Sequence, residues 1–274
     1  MLVTIQEILD EGEKRLCAIP AFNVYNLETA IGVANAARET GTPVIFQIYS
    51  RLFDGPNARY LAPSILQLAR DLPSPAVFHL DHGAGSAQMM RALGCGATGI
   101  MIDSSTFPLD ENISKTKTAA ELCNAVGIGV EGELGHVGNT AEVMAEFTRV
   151  DEAARYVKET GVCALAIMVG TAHGRYKQAP QIDIRRIAEI REASRIPLVL
   201  HGGSGIPDDQ IRSSIKAGIR KVNFGTDICY SFLDAVFEVD RKIIGIDVFM
   251  KAPVEAVARY AIEKIKLLGA AANG

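Results

Sequence analysis

Long hydrophobic runs, blocks of one charge and paired cysteines are all missing from this 274-residue chain. Apolar residues never continue for the roughly 18 positions that a membrane-crossing helix needs, so no membrane span is expected. The 28 basic and 32 acidic side chains are spread along the sequence and leave a net charge of −4. With no basic stripe and no basic residues interleaved with aromatics, nucleic acid is not an expected partner. The five cysteines, Cys17, Cys95, Cys123, Cys163 and Cys229, are scattered and form no CxxC pair. That usage argues against a disulfide framework and for a reducing compartment, so a cytoplasmic location is expected. The opening stretch MLVTIQEILDEGEKR carries acids early and has no apolar core, which argues against a secretory leader. Pro/Gly/Ser-rich linkers are lacking too, so residues 1–274 read as one domain.

What the chain does have is alternation. Short β-rich runs (17–22, 43–49, 75–80, 97–103, 127–133, 164–169, 196–201 and 219–224) are separated by longer segments with apolar residues at helical spacing. In LETAIGVANAARETG, for example, Leu27, Ile31, Ala34 and Ala37 fall on one face and Gly41 is placed to stop the helix. Eight such units, with nearly continuous apolar strands of the kind a covered parallel sheet requires, predict an α/β fold, a (β/α)8 TIM barrel. A doubly wound sheet is the alternative. The final segment VEAVARYAIEKIKLLG predicts an additional C-terminal helix.

Only five histidines occur, and two of them flank an Asp in HLDHG, residues 79–83. Such a cluster is either a polar strand end bonded into the core or part of a site. Position along each unit favours a site, because barrel enzymes carry their chemistry at the C-terminal strand ends and the loops that follow. His82, His136, His173 and His201 all fall at that face, with Asp81, Asp103, Glu131 and Glu133 nearby. Three neutral imidazoles with an open fourth position are the usual provision for a catalytic zinc. Beside them, HGGSGIP (201–207) and NFGTD (223–227) offer glycine-rich turns ahead of helices after strands seven and eight. Both could cradle a phosphate through backbone N–H groups.

Taken in order, HLDHG, VEGELG, GTAHG, LHGGSGIP and NFGTD resemble the class II, zinc-dependent ketose-bisphosphate aldolases, and the likeness runs from IPAFNVYNLET to EKIKLLG. The resemblance implies reversible aldol cleavage of a phosphorylated sugar to dihydroxyacetone phosphate and an aldehyde. It implies Zn²⁺ held by His82, His173 and His201, with Glu133 close by as a possible alternative ligand, and Asp81 as the acid/base group. It further implies a phosphate site of Gly174, Gly202, Ser204, Asn223, Thr226 and Asp227, with a monovalent cation (Na⁺ or K⁺) beside it. A role for Asn23 and a homo-oligomer, dimer or tetramer, belong to the same expectation, while His79 is expected to be a packed, hydrogen-bonded strand residue.

The sequence departs from the family pattern in three places. The loop after strand five, HVGNTAEVMAEFTRVDEA, is short, and Glu142, or failing it Glu146, is the nearest candidate for a carboxylate that moves a proton at the donor carbon. The Arg that helps bind a distal phosphate is absent from GIDVFMKAP, and Arg51 is an alternative planar cation for a carboxylate or phosphate. Asp103-Ser104-Ser105 also replaces the usual Asp-Gly-Ser or Asp-Ala-Ser. These changes raise the narrower expectation of a ketose 1-phosphate substrate without the distal phosphate. A metal-dependent sugar-phosphate epimerase or isomerase is the reading from a different class.

Overall fold

The computed structural model describes residues 1–137, 147–176 and 178–271. Eight parallel strands close into a barrel in sequential order. They are β1 (Ile19–Asn23), β2 (Val44–Tyr49), β3 (Ala76–Gly83), β4 (Gly99–Ile102), β5 (Val130–Leu134), β6 (Ala164–Ile167), β7 (Leu198–Leu200) and β8 (Ile219–Phe224). The predicted (β/α)8 barrel is therefore the observed one, and the doubly wound alternative is excluded by the β1–β8 pairing.

Before β1 comes α1 (Ile5–Arg15), and between the strands run α2 (Leu27–Thr40), α3 (Asn57–Asp71), α4 (Ser86–Gly94), α5 (Leu109–Asn124), α6 (Val150–Thr160), α7 (Ile184–Ser194) and α8 (Asp208–Ala217). After β8 the chain adds α9 (Thr226–Glu238), the single turn α10 (Ile246–Phe249) and α11 (Lys251–Leu267). Among the described residues no helix is long and apolar enough to cross a membrane.

Register shows how the strands divide their two faces. Phe224, Phe22, Phe46 and Phe78 lie in one row across β8, β1, β2 and β3, and all are fully buried. One residue further on, Asn23, Gln47 and His79 form the next row. Because successive side chains point to opposite faces, the aromatic row packs under the helices and the polar row faces the barrel interior. Gly99 pairs with His79, and a Cβ there would stand 2.6 Å from His79 Nδ1. Glycine is what leaves room for a buried imidazole.

At the N-terminal mouth, α1 lays Ile5, Ile8 and Leu9 fully buried across the barrel, and the Ile5 N–H donates to the Thr98 carbonyl at 3.0 Å. The predicted C-terminal helix is α11, which packs on α2 where a Cβ on Gly32 would come within 2.7 Å of Val257. One detail of α2 differs from expectation. Its buried face centres on Ala30, Val33, Ala34 and Ala37, while Leu27 is exposed, because α11 covers the small-residue side. Gly41 does terminate the helix, in the left-handed conformation at φ 63°.

Candidate active site

Strand alternation alone would send Asp81 and His82 to opposite faces of β3. Both nevertheless line one cleft of about 360 Å³ at the C-terminal end of the barrel. The cause is a register shift against β4 between Leu80 and Gly83, together with a left-handed backbone at His82, φ 50°. A bulge of this kind re-aims one side chain, and left-handed backbone costs a non-glycine residue of order 1–3 kcal/mol, which persists only where the surroundings hold it. Both residues thus lie on the strand rather than after it, as the sequence had suggested.

His82, His173 and His201 converge so that one nitrogen from each lies within 4.8 Å of the others. His82 Nε2 and His201 Nδ1 are 3.0 Å apart. The opposite nitrogens are occupied by carboxylates: His82 Nδ1 with Asp103 Oδ2 at 2.9 Å and His201 Nε2 with Glu131 Oε1 at 3.0 Å. Carboxylates behind imidazoles fix ring orientation and tautomer in the way metal sites require. His173 Nε2 is buried without a hydrogen-bond partner among the described residues, as is Glu133 Oε2. This donor set suits a small divalent ion of zinc's preferences. A second overlapping group, His82, Asp103 and Glu133, could also hold a metal.

The electrostatics agree. Burial, then repulsion from His82, holds His173 down to about 4, and the same two causes hold His201 well below the ordinary imidazole range. His82 goes the other way, to about 10: burial opposes its charge most, but Asp81, the bond to Asp103 and nearby Glu133 together outweigh it. Burial and then the Asp103 charge push Glu133 up to about 8.

Beneath the imidazoles lies a layer that sequence reading largely missed. Lys221 on β8, with no exposed surface, reaches Glu131 Oε2 at 2.8 Å. His79 is packed beside the pair, 3.6 Å from Glu131, but neither ring nitrogen has a hydrogen-bond partner among the described residues. The expectation of a hydrogen-bonded His79 is thereby corrected. Burial, then the Lys221 charge, lowers it to about 3 and keeps it neutral, so it fills the interior as a nearly apolar ring.

Asp81 is buried and held through both oxygens, by Asn23 Nδ2 at 2.6 Å and Asn223 Nδ2 at 3.4 Å. Gln47 Nε2 donates in turn to Asn23 Oδ1 at 3.2 Å. Across the cleft lie Gly174, Gly202, Ser204, Asn223, Gly225 and Thr226, with the N-terminus of α9 at Thr226. Gly202 is left-handed at φ 66°, and a Cβ there would strike the Ala172 carbonyl. Tyr176 ties the two loops together, accepting from the Ala172 N–H at 2.8 Å and donating to the Gly202 carbonyl at 3.0 Å.

Asp227 does not line the cleft. Its N–H donates to Ser204 Oγ and its carboxylate accepts from the Tyr260 hydroxyl at 3.1 Å, so it braces the turn from behind. Arg51 does line the cleft, with its guanidinium 5.5 Å from the centre of the Tyr25 ring and 5.0 Å from that of Tyr49. Glu142 and Glu146 lie outside the described residues. Gln47 and Lys221 stood in plain view as single polar residues inside apolar strands, while Tyr25, Tyr49 and Tyr176 gave no comparable sign.

Comparison with known proteins points the same way. The family model for class II fructose-bisphosphate aldolase matches residues 3–273. The uncharacterized protein YdjI of Escherichia coli K12 is 35% identical over 275 residues, 98% of each chain. The crystal structure of the YdjI aldolase aligns with a TM-score of 0.90 at 33% identity, over 99% of this chain and 98% of that one. A Coccidioides immitis protein, crystallised as a candidate fructose-1,6-biphosphate aldolase, aligns with a TM-score of 0.91 at 26% identity, over 97% and 96% of the two chains. With the sequence match spanning nearly every residue of a barrel built in this way, the chain belongs to the class II fructose-bisphosphate aldolase family and is a carbon–carbon lyase of the aldolase type.

Proposed function

We propose that the protein catalyses the zinc-dependent, reversible cleavage of a phosphorylated ketose to dihydroxyacetone phosphate and an aldehyde. The observation that carries this reading is the meeting, in one cleft, of three converging imidazoles and a buried carboxylate held by two amides. His82, His173 and His201 would hold the zinc, with Glu133 as an alternative ligand. Bound zinc would supply a Lewis acid that stabilises negative charge developing at the ketose carbonyl.

The chain's own residues do the rest. Asp81 takes the proton of the C4 hydroxyl during cleavage and returns it during condensation. Asn23 and Asn223 keep its carboxylate aimed into the cleft, which matters because an acid/base group works within hydrogen-bond reach. The turns at Gly174, Gly202 and Ser204, with Asn223 and Thr226 at the start of α9, receive the donor phosphate, where N–H groups and the helix dipole favour an anion. Asp227 keeps that turn in place, and a Na⁺ or K⁺ ion, when bound, would add positive charge for the donor phosphate. Arg51, stacked on two tyrosines, faces the acceptor end. The absence of an Arg from residues 245–253 favours a ketose 1-phosphate over a 1,6-bisphosphate.

Zinc-loaded protein is expected to release dihydroxyacetone phosphate from a ketose 1-phosphate, and metal-stripped protein to do so only once zinc is restored. Equal rates with and without metal would refute the reading. A strong preference for the 1,6-bisphosphate would remove its narrower form.

A further inference from the structure

One helix is apolar on more sides than the chain covers. In α9, Ile228 is buried and Phe232 packs against the core, and the helix rests on α11. Its other side carries Tyr230, Leu233 and Phe237, spaced to fall on one face, and all three are exposed, Phe237 at 79%. A surface helix normally turns polar residues outward, whereas a helix apolar all round is one that is buried. After α9 the chain reverses at Asp240, which accepts the Lys242 N–H on Oδ1 at 2.9 Å and the Ile243 N–H on its carbonyl at 3.0 Å. The returning stretch through α10, which also packs on α11, exposes Ile246, Val248 and, at 91%, Ile244.

Seven of the sixteen large apolar side chains exposed among the described residues thus fall within residues 230–248, and the other nine are spread over the first 147 positions. Exposed apolar residues scattered singly are ordinary, but a concentration of them marks an interaction site.

We propose that the outer face of α9 and α10 is an interaction surface whose partner is the same face of a second copy of this chain. The inference stands apart from the aldolase reading and does not rest on it. Area is the first argument. From their fractional exposures the seven side chains present on the order of 700 Å², more than the largest patch of a typical monomer and close to the roughly 800 Å² that each partner gives to a standard interface. Charge is the second. The same stretch bears Asp234, Glu238 and Asp240 against Arg241 and Lys242, so two copies related by a two-fold axis can set opposite signs against each other. A surface built for a strongly charged partner would carry one sign. Tyr230 ties the patch to the cleft, because the Arg175 guanidinium lies 3.4 Å from the centre of its ring and Arg175 follows Gly174 of the cleft wall. The interface therefore reaches the rim of the site.

Light scattering after gel filtration of the full chain at micromolar concentration tests the proposal. The wild-type protein is expected at an even multiple of 29.4 kDa, and Phe237→Asp with Ile244→Asp at half that mass or less, with its circular dichroism spectrum unchanged. Leu122→Asp with Val126→Asp, at exposed apolar positions on and just after α5, adds the same charge and is expected to keep the wild-type mass. Because a charged variant can misfold, Phe237→Ala is measured as well, and it should weaken association about thirtyfold or more, as loss of a central aromatic anchor does. A wild-type monomer overturns the proposal and leaves the face to a different protein. An assembly that both Phe237 variants leave intact also overturns it, by placing the contact elsewhere. Dissociation of the Leu122 and Val126 control does the same, by tracing the effect to added charge.

Discussion

Replacing Lys221 with Met separates the two tasks of the layer beneath the imidazoles. Lys221 and Glu131 are fully buried and meet at 2.8 Å, and Glu131 uses its other oxygen to hold His201 Nε2 at 3.0 Å. Removing the ammonium leaves the carboxylate without its counter-charge in the barrel interior. Breaking a buried pair in this way costs about 3–5 kcal/mol. The loss extends to the metal, since Glu131 is then free to turn from His201, and weakening such an outer carboxylate costs about 10–100-fold in metal affinity, or about 1.4–2.8 kcal/mol. Urea unfolding of the metal-free protein reads the first effect, and zinc competition against a chromophoric chelator reads the second.

The double variant Lys221→Met with Glu131→Leu sharpens the test. An apolar pair of similar volume should recover most of the lost stability, because a buried ion pair exchanged for packed side chains is often neutral or better. Zinc affinity should stay depressed, because His201 Nε2 has lost its acceptor. If Lys221→Met unfolds within about 1 kcal/mol of the parent and binds zinc unchanged, the pair neither stabilises the barrel nor orients the ligand, and the reasoning is wrong.

Four further outcomes are expected. His173→Ala should lose both zinc and activity, since two protein ligands rarely hold a catalytic zinc tightly; metal analysis and turnover check it, and full activity with metal bound would refute the ligand assignment. Asp81→Ala should keep its metal and cleave on the order of a hundredfold or more slowly, a result that near-normal turnover would contradict. Zinc uptake near pH 7 should release at least one proton, because His82 in the metal-free chain is raised to about 10 and is charged, whereas a coordinating imidazole must be neutral. Calorimetry in two buffers of different ionisation enthalpy measures that proton, and apparent affinity should rise with pH below about 10. Arg51→Met should weaken acceptors that end in a carboxylate or phosphate and leave neutral aldehydes unaffected, read as a KM change confined to the anionic set.

The barrel was legible because its signal is repeated. Each strand is buried on both sides and reads as an apolar run, and each helix shows its own period, so eight units outvote any single ambiguous segment. The histidines were legible for a related reason: once the units are placed, strand ends share one face whatever the loop details. The interior polar row was harder to see. Gln47 lies in VIFQIY and Lys221 in IRKVNF, and a single polar residue in such a run does not disclose its partner, because Glu131 is 90 residues from Lys221 in sequence. The resemblance implies a place for Asp227 in the phosphate site, but Tyr260 of α11 draws its carboxylate behind the turn, a contact set by the packing of a helix that begins 24 residues later.

HLDHG shows most plainly where sequence pattern gives way to geometry. Period-two reasoning puts His79 and Asp81 on the interior face and His82 on the outer one, which would leave Asp81 alone in the cleft. The observed strand keeps the first two positions and breaks the third: with φ at 50° and the register against β4 slipped, His82 turns inward beside Asp81, its Nε2 3.9 Å from the Asp81 carboxylate. The left-handed backbone that this requires is a cost to folding, of order 1–3 kcal/mol, with no packing benefit apparent at an imidazole that is then flanked by Asp81, Asp103 and Glu133. Surroundings that hold such a conformation are characteristic of sites where it serves the chemistry. His79, free of strain and without a hydrogen-bond partner among the described residues, is the packing histidine of the pair, and the strained His82 is the one whose position the reaction requires.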